Sequence, residues 1–187
     1  MHRALFFEYR DFQTRAINLW KEIARRYKGN TWSVPRPLSF FLNASLIFLP
    51  SLGRLLHLAR VAGYNILNEP TDPEHTRIVA WYDRAEADIR AVDPDHILFI
   101  DGNTWAADFS HFKKPLPNSV YAYHDYSNYG FPAGGGYDAT DEQKAKLKKG
   151  YQRKVEFMVS HNGPQWNGQS QSAPLRSNVR IRVRLRR

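Results

Sequence analysis

No cysteine occurs among the 187 residues, so neither a disulfide framework nor a thiolate metal site is open to this chain. Acid is missing from one end. Arg176, Arg180, Arg182, Arg184, Arg186 and Arg187 have no Asp or Glu among them, and these six supply most of the formal charge of +9, leaving +3 for the rest. The basicity is therefore a property of the tail and says little about what the main body binds; a solvated tail, not a nucleic-acid partner, is the expectation. A membrane-spanning run is lacking as well. Leu38 to Gly53 is apolar, but it holds Asn43 and Pro50 and ends at Arg54, well short of the roughly 20 apolar residues a bilayer requires. The opening residues, Met1 to Glu8, carry charge within a few positions and form no secretory apolar region. There is no internal repeat. What is present is 42% apolar and 14% aromatic residues, the composition of a globular domain with a real core.

Hydrophobic periodicity predicts alternating elements. Residues 12–27 place Ile17, Trp20, Ile23 and Tyr27 at helical spacing, and Lys28-Gly29-Asn30 is a stop signal. Residues 61–67 form a short apolar run that ends in Asn68-Glu69-Pro70, as a buried strand delivering polar groups would. A second helix over 74–92 carries Ile78, Trp81, Tyr82, Ala85, Ile89 and Val92 on one face, and Ile97–Ile100 is a second buried strand, running into Asp101-Gly102-Asn103. Residues 119–123 are a third strand, followed by His124-Asp125-Tyr126. Thr140 to Gln143 is a capping box opening a helix to about Val159, and a short strand is expected near Pro164-Gln165-Trp166. Apolar strands alternating with helices imply an α/β fold with a parallel sheet, whose polar residues gather at the strands' C-terminal ends. Pattern alone does not separate a barrel from an open doubly wound sheet.

Glu69 is the residue of most chemical interest. A carboxyl fixed after a buried strand and before a proline suits general-acid work; taken alone, Asn-Glu-Pro is equally a surface loop. Its surroundings narrow the choice. Tyr64-Asn65-Ile66-Leu67-Asn68-Glu69-Pro70 resembles the fourth barrel strand of glycoside hydrolase family 5. The resemblance continues through Trp81-Tyr82-Asp83-Arg84-Ala85, Ile89 to His96, Phe99 to Trp105, and the His-x-Tyr pair His124 and Tyr126. Upstream, Trp20 to Asn30 is similar to the helix before that strand. The match spans roughly residues 11–32 and 61–168.

The resemblance implies a partial (β/α)₈ TIM barrel, roughly strands four to seven with their helices. It also implies a retaining hydrolase of β-glucan or cellulose-type polysaccharide in which two carboxyls lie about 5–5.5 Å apart. Glu69 becomes the acid/base, and Asn68 a partner of the sugar 2-hydroxyl. His124 and Tyr126 line the cleft, while Trp105 and Trp166 are either sugar-stacking planes or core aromatics. No cofactor is implied, and no metal: His96, His111 and His124 show no ligand spacing with nearby acids. The partner is a β-linked polysaccharide or oligosaccharide.

The family pattern also breaks. Where it has Trp-Asn-Gly-Glu with Glu as nucleophile, this chain has Trp166-Asn167-Gly168-Gln169. A neutral amide forms no glycosyl ester, so little or no hydrolysis is expected, and a carbohydrate-binding pseudoenzyme is the alternative. Residues 33–60 interrupt the pattern and read as an insertion, helical or poorly ordered, resembling a translated intron. Residues 170–187 read as a disordered basic tail after a frame change, which leaves 1–169 as a partial catalytic domain with Met1 an internal start. The family is often secreted, though no signal is seen here.

Overall fold

The computed structural model of the protein describes residues 5–30, 39–43, 60–126, 129 and 135–171. The expectations for residues 31–38, 44–59 and 172–187 lie outside the described residues. The elements in chain order are α1 (Leu5–Glu8), α2 (Arg10–Tyr27), β1 (Ser39–Asn43), β2 (Arg60–Asn65), α3 (Arg77–Arg90), β3 (Ile97–Asp101), α4 (Asn103–Ala106), β4 (Ser119–Tyr126), α5 (Asp141–Ser160) and β5 (Gln165–Gln171).

All five strands lie in one sheet in the order β1-β2-β3-β4-β5, each parallel to its neighbour. This order decides between the two architectures. A doubly wound sheet reverses direction at a switch point, whereas strands that add one after another on the same side are winding a barrel. The chain forms part of a (β/α)₈ barrel. Among the described residues, no helix is long and apolar enough to cross a membrane.

Two differences from the expected pattern have local causes. Ser39–Asn43 forms a strand where a helix or irregular chain was expected, because the edge of β2 offers a parallel partner from Arg60 to Asn65. β5 does not stop near Trp166. It runs on through Ser170 and Gln171, opposite Asp125 and Tyr126 of β4, so the first two residues assigned to the tail belong to the sheet. The capping box of α5 is present as predicted, with the Thr140 side chain accepting from the Gln143 backbone N–H.

The core lies between the sheet and its helices. Ile17, Trp20 and Ile23 of α2 and Ile78, Trp81, Tyr82, Ala85 and Ile89 of α3 are buried at helical spacing. Burial of each large side chain contributes roughly 1.5–3 kcal/mol. The polar atoms of these rings are satisfied: Trp20 Nε1 donates to the Ile66 carbonyl at 2.9 Å, and Tyr82 O–H donates to the Asp101 carbonyl at 3.0 Å. Both bonds fix the backbone at the C-terminal ends of β2 and β3, which is where the candidate site forms. Packing is tight enough to exclude a side chain at Gly63, where a Cβ would lie 2.1 Å from the Ile97 carbonyl oxygen. Under β4, Phe109, Phe112, Tyr121 and Phe157 form a second aromatic cluster.

Candidate active site at the C-terminal ends of the strands

The site residues lie in or just beyond the C-terminal parts of strands β2 to β5. Glu69 lies just beyond β2, in the left-handed region at φ 47°. Non-glycine residues enter that region at a cost of about 1–2 kcal/mol, so the surroundings must hold it there. The hold is visible: the Glu69 backbone N–H donates to Asp101 Oδ2 at 3.0 Å. Pro70 follows, and its carbonyl accepts from the Trp105 backbone N–H at 3.3 Å. Farther along the same loop, the fully buried Asp72 takes hydrogen bonds from the backbone N–H groups of Glu74, Arg77 and Ile78. Its carboxylate caps α3, whose N-cap residue Thr76 makes no side-chain cap bond.

The Glu69 carboxyl meets His124 of β4, with Oε1 to Nδ1 at 2.6 Å. On the other side of the ring, Nε2 lies 3.5 Å from Asp101 Oδ2. The imidazole is 1% exposed and Asp101 0%, while the Glu69 side chain keeps 28% exposure to the groove. The ring is held from below by β5: a Cβ on Gly168 would stand 2.9 Å from His124 Nε2, so only glycine fits there. Next to this pair, Tyr126 O–H donates to Gln169 Oε1 at 2.6 Å, and Gln169 Nε2 donates to Asn68 Oδ1 at 3.2 Å.

Trp105 reaches the site by an unusual route. Thr104, Trp105 and Ala106 all have positive φ, so α4 contains a left-handed turn. Three consecutive strained residues, one of them β-branched, mark a place where surrounding contacts override local preference. The turn leaves Trp105 62% exposed, the Trp ring most open to solvent among the described residues. A groove of about 1540 Å³ is lined by Glu69, Trp105, His124, Tyr126 and Gln169, with α5 forming its far wall through Lys146, Lys149 and Arg153.

Of the residues singled out in the sequence, Glu69, Asn68, Trp105, His124, Tyr126 and Gln169 therefore converge. Trp166 does not line the groove. It stands three residues before Gln169 on β5, opposite Ala122, with its ring edge-on to Phe99 at a centroid distance of 6.5 Å while the residue stays 43% exposed. Asp101 is the residue sequence reading passed over. Its signal was an acid ending the apolar run Ile97–Ile100, the same signal that drew attention to Glu69.

Burial pushes the Asp101 carboxyl up to about 6, against the lowering pull of the Glu69 N–H, His124 and Asn65. The sign of its effect on stability follows. The folded state keeps a proton that the unfolded chain loses near pH 4, so this group's contribution is full below that pH and lost as pH rises to about 6. Compared with Asp101→Asn, the wild-type chain should lose about 2 kcal/mol of unfolding free energy between pH 4 and pH 7. Urea titrations of both proteins across that range measure it, and parallel pH profiles would show that the carboxyl titrates normally.

The site thus sets one carboxyl beside a buried histidine at the C-terminal mouth of a parallel barrel strand, with the Gln169 amide lining the same groove. The sequence profile of the cellulase family, glycosyl hydrolase family 5, matches residues 59–170. The chain belongs to glycosyl hydrolase family 5. It is also 44% identical over 172 residues to a protein of Phanerodontia chrysosporium named beta-xylosidase, covering 90% of this chain but 30% of that protein. Among solved structures, the cellulose synthase subunit Z of Clostridioides difficile superposes with a TM-score of 0.64 at 16% identity, over 90% of this chain and 53% of its own. Thermotoga maritima Cel5A, in a mutant form with cellobiose, gives a TM-score of 0.60 at 19% identity, over 90% and 51%. A hyperthermophilic endo-beta-1,4-glucanase solved with substrate gives 0.58 at 17%, over 88% and 49%. These structural likenesses establish the barrel fold. The family 5 chain thus spans about half of the solved neighbours and less than a third of its curated relative.

Proposed function

We propose that this family 5 chain carries the acid/base side of a retaining β-glycosidase site for β-glucan or cellulose-type polysaccharide. We further propose that it binds β-linked sugar but hydrolyses it little, because Gln169 stands where the nucleophile should be. The carrying observation is the hydrogen-bonded run Tyr126–Gln169–Asn68 beside the Glu69–His124 pair. In a double displacement, Glu69 would protonate the departing glycosidic oxygen while a second carboxylate attacks the anomeric carbon. The Gln169 amide is held by Tyr126 in the attacking place, yet its oxygen carries no full negative charge and cannot form the ester. Asn68 would bond the 2-hydroxyl. His124 and Tyr126 would fix the two sides of the groove, and exposed Trp105 would stack on a pyranose face. No metal, nucleic acid or membrane takes part in this reading.

The same reading treats residues 33–60 as an insertion and the residues beyond the sheet as a tail. The family match ends at residue 170, in keeping with a tail there, whereas Ser39–Asn43 inside the assigned insertion adds a strand to the sheet and the curated relative aligns over 90% of the chain. A spliced transcript retaining codons 33–60 would overturn that assignment.

Binding and turnover together test the function. Cellotetraose should quench the tryptophan fluorescence of the purified chain saturably, and Trp105→Ala should weaken binding about tenfold, in line with roughly 1–2 kcal/mol for one aromatic platform. Hydrolysis of an aryl β-glucoside or aryl β-xyloside should stay near background. Rapid turnover by the wild-type chain would remove the claim of lost activity. No binding of either sugar series by the folded chain would remove the carbohydrate groove itself.

A further inference from the structure

Away from the His124 side of the groove, three metal-ligating side chains meet that the hydrolytic site does not use. His75 comes from the loop between β2 and α3. Asp108 and His111 come from the segment after α4, at the spacing of one helical turn. One ligand atom from each lies within 4.8 Å of the others. His75 Nδ1 is 3.3 Å from Asp108 Oδ2, and the two imidazoles lie nearly parallel with centroids 4.9 Å apart. His111 had no visible ligand partner in the sequence because His75 arrives from a different βα loop.

The convergence of these three side chains carries the inference, and the hydrogen bonding around His75 sets what its Nδ1 atom offers. Asn103 is fixed in orientation from both ends of its amide: its Oδ1 accepts from the Asp72 backbone N–H at 2.7 Å, and its Nδ2 donates to the Asp72 carbonyl at 2.9 Å. The remaining Nδ2–H points at His75 Nδ1, 2.9 Å away. Nδ1 is therefore met by a donor and presents a lone pair. An imidazole nitrogen has a single lone pair, so a cation bound at Nδ1 would displace this Asn103 hydrogen bond, with the Asp108 carboxylate 3.3 Å away to share its charge.

We propose that His75, Asp108 and His111 form a binding site for one divalent cation of the zinc class. Two imidazole nitrogens and one carboxylate oxygen favour Zn²⁺, Ni²⁺ or Cu²⁺ over Ca²⁺ and Mg²⁺, which prefer all-oxygen shells. Side-chain shifts of about 1 Å would bring the three atoms to the spacing of a tetrahedral shell with ligand bonds near 2.0–2.2 Å, leaving the fourth position to water. His75 and Asp108 are about one-third exposed and His111 is open to solvent, so the ion has an entry path and the side chains have room to adjust. The ion would tie the loop that follows Glu69 to the segment that presents Trp105. The backbone bond from Trp105 to Pro70 is already one link between them. The site is structural in this proposal and does not depend on sugar hydrolysis.

Equilibrium dialysis of the full chain against ⁶⁵Zn²⁺, paired with thermal unfolding, tests it. One equivalent should bind, with Ni²⁺ and Cu²⁺ competing and Ca²⁺ and Mg²⁺ not. At free Zn²⁺ about a hundredfold above Kd, Tm should rise by about 5–10 °C. His111→Ala removes an exposed side chain and should leave the fold intact while weakening binding at least about tenfold; Asp108→Asn should do the same. His161→Ala, outside the cluster, should leave binding unchanged. Undiminished Zn²⁺ binding in His111→Ala overturns the proposal. So does an absence of saturable binding by the folded wild type.

Discussion

Gln169→Glu should raise turnover of an aryl β-glucoside by at least about 10³-fold. The reasoning is local. Loss of a covalent nucleophile costs about 10⁴-fold or more in rate, and on the proposed assignment Gln169 holds the nucleophile's place. Gln169 sits opposite His124 in the β4–β5 ladder, and its Oε1 accepts a hydrogen bond from the Tyr126 hydroxyl at 2.6 Å. A carboxylate of the same shape would keep that bond, and Asn68 would turn its amide to donate instead of accept. The new negative charge would lie across the groove from Glu69, as a double displacement requires. Mass spectrometry after reaction with a 2-deoxy-2-fluoroglycoside should then find one glycosyl unit on the peptide containing position 169, and Glu69→Ala in the same background should remove the gained activity. If the variant folds, binds sugar and gains nothing, the assignment of Gln169 to the nucleophile's place fails.

The second large effect concerns stability. Asp72→Ala should destabilise the protein by about 3–5 kcal/mol, measured by urea unfolding. Asp72 is 1% exposed and its two oxygens receive three backbone N–H groups, with Arg77 Nε a further donor at 3.0 Å. Alanine leaves those donors at the start of α3 without a partner and strands the Arg77 guanidinium beside a cavity; removing one member of a buried charged network costs several kcal/mol. The loop loses its contact with Asn103 only indirectly, since those bonds use the Asp72 backbone. Sugar affinity should accordingly fall less than stability under conditions where the variant remains folded. A loss under 1 kcal/mol would mean that water satisfies these donors as well as the carboxylate does.

The alternation of elements was legible in the sequence because it is local, and so were the residue types that the strand ends present. Apolar runs such as Ile97–Ile100 announce buried strands, the Thr140–Gln143 box announces a helix start, and Asn68-Glu69-Pro70 places a carboxyl at a strand end. The amide at Gln169 was equally plain, since it is a matter of residue type. Asp101 was within reach by the same strand-end logic.

What the sequence determined by itself is composition and period: most of the strands and helices, and the residue types that stand at the strand ends. The tertiary structure alone decided the rest. Barrel winding depends on which strands become neighbours, and only the order β1-β2-β3-β4-β5 fixes that. Ser39–Asn43 is a strand because a sheet edge accepts it. Trp105 faces the groove while Trp166 stands edge-on to Phe99, although both are tryptophans in loop or strand-end contexts that look alike in one dimension. His75 joins Asp108 and His111 for the same reason: contact between distant residues is set by long-range packing, and no local pattern encodes it.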